Sequence, residues 1–118
     1  MTVKECYEKM GEDYTDVLGR LGNEKIIARF AKKFPQDKSY GEIITSVQTR
    51  NVEDAFRAAH TLKGVSLNLG FLRMYEISAA LTEIFRGGSF EGTEEWMQRL
   101  EERYDNIVEC IDCLDCSS

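Results

Sequence analysis

Proline is almost absent from this chain: Pro35 is the only one in 118 residues. Proline is the main breaker of helices, so its scarcity already points to an all-α protein. Long hydrophobic runs are missing as well. No stretch approaches the roughly 18 uncharged apolar residues that a membrane span needs. The N-terminus, Met1-Thr2-Val3-Lys4-Glu5-Cys6-Tyr7-Glu8, is charged where a signal peptide would carry its apolar segment. The expectation is a cytoplasmic protein away from the membrane, whose four cysteines are thiols rather than disulfides. A cationic surplus is also lacking. The net charge of −6 argues against a general nucleic-acid binder, which relies on an excess of Lys and Arg, but it leaves room for a local basic patch. No glycine loop suited to cradling phosphates is present, since Gly87-Gly88 alone is too weak a signal. Histidine occurs once, at His60.

The composition that remains is that of an ordinary globular chain. Hydrophobic residues make up 42% and charged residues 31%, which argues against wholesale disorder. The length suits one domain, 1–118, and no repeat, low-complexity run or linker divides it. Met1 and the compact length lead to the expectation of a stand-alone protein.

Apolar residues recur at helical spacing almost throughout. Three short helices are predicted over 3–10, 13–21 and about 24–34, with Gly22-Asn23 as a stop followed by a new N-cap. Ile26, Ile27, Phe30, Ala31 and Phe34 give the third its apolar pattern, and Pro35 closes it. Four longer helices come next, over about 37–49, 51–69, 71–86 and from 91–94 towards 114. Short turns make neighbours antiparallel. The predicted fold is an all-α, up-down-up-down four-helix bundle over about 37–115, with an N-terminal helical extension, 1–35, capping one end or one side. A closed bundle in one chain leads to the expectation of a monomer.

The helix over 51–69 is the informative one. Asn51 is a good N-cap with Asp54 at the third helical position, and Gly70 suits a left-handed C′ position. At about 100° per residue, Val52, Ala55, Ala59, Leu62, Val65, Ser66 and Leu69 share one broad sector, the predicted core face. His60 lies on the other side. Gly64 sits roughly 40° from it one turn on, and Lys63 roughly 60° away in the other direction. Phe56, Arg57 and Leu67 complete this second face, joined by Phe71 if the helix runs on. Apolar side chains placed around a histidine and away from the core suit docking; the alternative for Phe56, Leu67 and Phe71 is burial under the N-terminal helices.

A glycine inside a long helix costs about 1 kcal/mol against alanine and needs a reason. Tight helix packing is one, but Gly64 points away from the inferred core. Room beside the histidine for a phosphoryl group and a partner's pocket is the other. Lys63, one turn away, then has the charge to balance a group of nearly −2, and imidazole is a fitting nucleophile at cytosolic pH.

The segment His60-Thr61-Leu62-Lys63-Gly64-Val65-Ser66-Leu67-Asn68-Leu69-Gly70 closely resembles the signature H-x-x-K-G-x-x-x-x-L-G of histidine-containing phosphotransfer (HPt) domains. The resemblance covers about 37–115, and the N-terminal segment resembles extensions seen in stand-alone members. It implies a phosphorelay intermediate without an ATP-dependent kinase activity of its own. His60 would take a phosphoryl group from an aspartyl-phosphate on a receiver domain and pass it to another receiver, Lys63 would balance charge, and Gly64 would give clearance. The implied partners are response-regulator receiver domains or a hybrid histidine kinase. Mg²⁺ and most of the catalytic machinery would belong to the receiver, and no cofactor to this chain.

Other readings stand beside this one. The same bundle would also serve as an interaction module that regulates a partner without phosphotransfer. Arg57 and Arg73 are either steering charges for an acidic receiver pocket or ordinary solvated charges. Cys110, Cys113 and Cys116, with Cys6 as a conceivable fourth ligand, would suit a metal or redox site; ordinary thiols are favoured, because no ligand histidine is near them. Trp96, Tyr104 and Ile107 read as core, and acidic pairs such as Glu94-Glu95 as a solvated helix face.

Overall fold

Seven α-helices and one 3₁₀ turn make up the computed structural model, which describes residues 1–114. They are α1 (Val3–Lys9), α2 (Tyr14–Leu21), α3 (Glu24–Lys33), the 3₁₀ turn Phe34–Gln36, α4 (Ser39–Gln48), α5 (Val52–Leu69), α6 (Leu72–Arg86) and α7 (Glu94–Asp112). Cys116 and the last predicted bundle residue, at 115, lie outside the described residues.

The boundaries reflect local chemistry. Thr2 and Glu5 form a reciprocal capping box at the start of α1. Asn23 accepts a hydrogen bond from the Ile26 N–H at α3, and Asn51 accepts one from the Asp54 N–H at α5. Pro35 does not simply end α3; it sits in the first turn of the 3₁₀ segment that redirects the chain into α4. Gly70 closes α5 with φ +73°, and the Phe71 and Gly70 N–H groups bond the Ser66 and Leu67 carbonyls.

Helices α4 to α7 form the antiparallel four-helix bundle. α5 packs against both α4 and α6, and α6 against α7. Tyr40 of α4 stacks on Tyr104 of α7 with ring centroids 3.7 Å apart, which closes the ring of four helices. The three N-terminal helices lie against this bundle, α1 touching α3 and α7, and α3 touching α5.

The face of α5 turned to the core holds Ala55, Ala58, Ala59, Leu62, Ser66 and Leu69, all buried. Ala58 belongs to that set although the helical wheel leaves it out, while Val52 and Val65 sit at its edge and are only partly buried. Three alanines and a serine let α4 and α6 approach closely on either side. Ile107 is core, but Trp96 and Tyr104 only pack on its margin, and Arg99 lies over the indole ring at 5.0 Å.

Candidate functional site

α5 carries His60 near its middle, on the side opposite the buried alanines. The imidazole is exposed and makes no hydrogen bond among the described residues. One turn earlier, the half-buried Phe56 ring stands 6.1 Å from it, centroid to centroid, and the Arg86 guanidinium of α6 lies over Phe56 at 5.0 Å. One turn later comes Gly64. A Cβ built there would meet nothing within 4 Å. Close packing with a neighbouring helix therefore does not explain the glycine, and the surface next to His60 is open.

Lys63 is half-buried on the α6 side of the same face. Its charge reaches Glu83 of α6, whose carboxyl is held below its usual range mainly by the Arg86 hydrogen bond and charge, with Lys63 adding to the effect. Arg86 and Glu83 are 2.8 Å apart, so one ion pair on α6 flanks both Phe56 and Lys63. Sequence reasoning misses these two α6 residues. Their i, i+3 spacing is visible, but nothing local says that α6 would turn them towards α5.

The other predicted contact residues divide. Leu67, two turns beyond His60, is 40% exposed and remains available as a docking contact. Arg57 is exposed and paired with Asp54 at 2.7 Å on its own helix. Arg73 lies past the end of α5, with its guanidinium beside Gly11 in the turn between α1 and α2. Phe71 is not a surface residue. It is fully buried, 5.4 Å from the Tyr7 ring and 5.1 Å from Phe34, so the N-terminal helices cover it. The left-handed turn at Gly70 breaks the helical phase that would have kept Phe71 on the His60 face.

The end of α5 is held from outside the bundle. Arg20 of α2 donates to the Leu67 carbonyl at 3.0 Å, and the Tyr7 hydroxyl of α1 donates to the Leu69 carbonyl at 2.6 Å. The Leu69 carbonyl is among those a helix leaves unpaired at its C-terminus, whereas the Leu67 carbonyl also accepts from the Gly70 N–H. The N-terminal helices thus do more than cap: they anchor the helix that carries His60.

The cysteines lie elsewhere. Cys6 and Cys110 are buried between α1 and α7, Cys113 is exposed, and all three are free thiols. Among the described residues no group of three or more His, Cys, Asp or Glu is placed to hold a metal ion. Among the same residues no helix is long and apolar enough to cross a membrane.

The sequence matches the family model of the Hpt domain over residues 24–110, from the start of α3 into the last turns of α7. The chain belongs to the Hpt domain family. The matched region starts at α3, earlier than position 37, where the predicted bundle begins. Hpt domains are phosphotransfer domains of two-component phosphorelays, which exchange phosphoryl groups with receiver domains or kinases. The Hpt chain is also similar to the chemotaxis protein CheA of Bacillus subtilis (strain 168), 37% identical over 59 residues, which are 48% of this chain and 9% of that protein. The similarity therefore spans a small part of the curated relative. No solved structure matches the chain.

Proposed function

We propose that His60 is the phosphoacceptor of this Hpt domain, and that it takes a phosphoryl group from a receiver aspartyl-phosphate and hands it to a second receiver. The observation that supports this most is the pairing of an exposed, unbonded imidazole with a mid-helix glycine whose missing side chain fills no packing need. In the transfer, Nε2 of a neutral His60 attacks phosphorus in line. The P–N bond forms as the P–O bond to aspartate breaks, and the electron pair leaves with the carboxylate. Gly64 keeps the approach clear, and Lys63 offsets the charge placed on the ring. The receiver brings Mg²⁺ and the carboxylates that hold it, while this chain supplies no cofactor and no ATP-dependent kinase activity. The partners are response-regulator receivers or a hybrid histidine kinase, met by a cytoplasmic monomer.

The test is transfer to the purified protein from a receiver charged with a small-molecule phosphodonor. An acid-labile, base-stable label on the wild type, absent from His60→Ala, supports the proposal. Lys63→Ala is expected to slow transfer roughly tenfold, the scale of one ammonium near a dianion at the surface. Binding of several receivers without any label on His60 would overturn it in favour of a docking module that regulates without transfer.

A further inference from the structure

Cys6, Cys110 and Cys113 meet at one place, although they come from opposite ends of the chain. Cys6 lies in α1, Cys110 in the last turn of α7 and Cys113 at its C-cap. Helix α1 packs against α7, and Arg103 pins their register by donating to the Met10 carbonyl, at the C-cap of α1, at 2.6 Å. Cys110 comes two turns further along α7 and Cys6 one turn back along α1, so antiparallel pairing sets them side by side. The Cys6 thiol has the Cys110 thiol as a hydrogen-bonding neighbour and lies within range of the Cys113 charge. Both Cys6 and Cys110 are buried in the core.

Cys113 differs from the other two in being exposed. Its N–H bonds the Cys110 carbonyl at 3.2 Å, and the Leu114 N–H bonds the Ile111 carbonyl at 2.9 Å, so α7 ends in the tighter i, i+3 winding. Side chains three apart nearly eclipse in that winding, which sets the Cys113 side chain above that of Cys110. A buried cysteine on its own is a small apolar side chain. Two in contact, with a third leading out to solvent, are equipped to exchange electrons with it.

We propose that Cys6 and Cys110 are a reversible thiol–disulfide pair that clamps α1 to α7 under oxidising conditions, and that Cys113 is the sulfur through which a low-molecular-weight disulfide reaches them. The Cys113 thiolate attacks that disulfide, an S–S bond forms to it, and one small thiolate leaves. Cys110 attacks the Cys113 sulfur and releases the second small thiolate. Cys6 then attacks the Cys110 sulfur, and Cys113 leaves with the Cys6 proton. Two protein thiols are oxidised, one small disulfide is reduced to two thiols, and those thiols carry off the two protons given up. Burial holds the Cys6 thiol protonated, pushed up to about 12, and raises Cys110 as well, so the entry falls to the exposed thiol. The clamp fixes Tyr7, the residue after Cys6, whose hydroxyl holds the Leu69 carbonyl at the end of α5. In a reducing cytosol the pair rests as thiols, as transient regulatory disulfides do. The inference stands apart from the phosphoacceptor reading of His60.

The test is incubation of the folded protein with oxidised glutathione, followed by blocking of free thiols with N-ethylmaleimide and mass mapping of its peptides. A Cys6–Cys110 disulfide is expected, with the melting temperature about 10 °C higher and amide exchange at Gly70 and Phe71 about tenfold slower. Excess reduced glutathione should return the thiols and both readings. Cys113→Ser is expected to slow linking about tenfold and to reach the same final melting temperature. Cys116→Ser is the control and should link at the wild-type rate. A wild type that yields no Cys6–Cys110 peptide, with glutathione caught on Cys113 or not, overturns the pair. Equal rates in wild type and Cys113→Ser, or equal slowing in Cys116→Ser, overturn the role of Cys113. A link that excess reduced glutathione leaves closed is a fixed staple and overturns the switch.

Discussion

The Tyr7 hydroxyl donates a 2.6 Å hydrogen bond to the carbonyl of Leu69, 62 positions later in the chain. The first helix thereby satisfies the last carbonyl of the helix that carries His60. Tyr7 is fully buried, with its ring against Tyr14 and Phe71, so the bond is shielded from water. Tyr7→Phe keeps the ring and removes the donor. It is expected to cost about 1–2 kcal/mol in urea unfolding, with faster amide exchange at Gly70 and Phe71. An unchanged midpoint would show that the Leu69 carbonyl finds another donor.

Gly64 inside α5 and Gly70 at its C-cap are expected to respond in opposite directions. Gly64 has open space around it, so Gly64→Ala should stabilise the helix by about 0.5–1 kcal/mol. If clearance is its role, the same change slows phosphoryl transfer. Gly70 has φ +73°, and a Cβ there would collide with the Val17 side chain of α2. Gly70→Ala should therefore cost about 2–4 kcal/mol. Chemical denaturation of both variants, with transfer rates measured alongside, separates a functional glycine from a structural one.

Glu12 and Arg103 form the most shielded ion pair among those of the described residues, 3.0 Å apart with side chains 3% and 11% exposed. Arg103 also donates to the Met10 carbonyl at 2.6 Å, and the Arg73 N–H reaches the same Glu12 oxygen at 3.4 Å. The turn after α1 is thus tied to α6 and α7 at once. Arg103→Ala strands the Glu12 carboxylate and is expected to cost about 3–5 kcal/mol. Glu12→Gln with Arg103→Met removes both charges and should recover much of that loss. Equal losses in the two variants would mean that packing of the arginine stem, not the stranded charge, sets the cost.

Stability should fall on the alkaline side. Burial, aided by the neighbouring Cys110, pushes the Cys6 thiol from its usual value of 9.0 up to about 12. Burial also raises Tyr7, Tyr14, Tyr40, Tyr104 and Cys110. A folded-state value above the unfolded one means that the fold favours the protonated form. The Cys6 contribution is therefore complete below about pH 9 and is lost as pH rises towards 12. Melting temperatures from pH 7 to 11 should decline above pH 9, and Cys6→Ala should flatten part of that decline from a lower starting point. A flat wild-type profile would mean that the thiol ionises in the fold as readily as in the unfolded chain.

Much of this architecture is legible in the chain because helices announce themselves locally. Asn23, Asn51, Gly22 and Gly70 mark ends through hydrogen bonds and φ preferences that involve only their neighbours. The spacing of Ala55, Ala59, Leu62 and Leu69 marks the buried side of α5 for the same reason, since a helix repeats every 3.6 residues wherever it sits. The segment from His60 to Gly70 lies within one such helix and its cap, which is why the family is recognisable from it.

What the amino-acid sequence determined by itself is the succession of helices, the face of α5 that holds His60, Lys63 and Gly64, and the Hpt signature those residues carry. Only the tertiary structure decided which side chains meet across distant positions. It buried Phe71 beneath Tyr7, left Phe30 in the open, joined Glu12 to Arg103 across 91 positions and set Arg86 over Phe56. The physical reason is one of range: periodicity and caps are written within a turn or two of helix. Burial depends instead on how whole helices pack. The left-handed turn at Gly70 reset the phase between Leu69 and Phe71, and so a single residue redirected the chain beyond it.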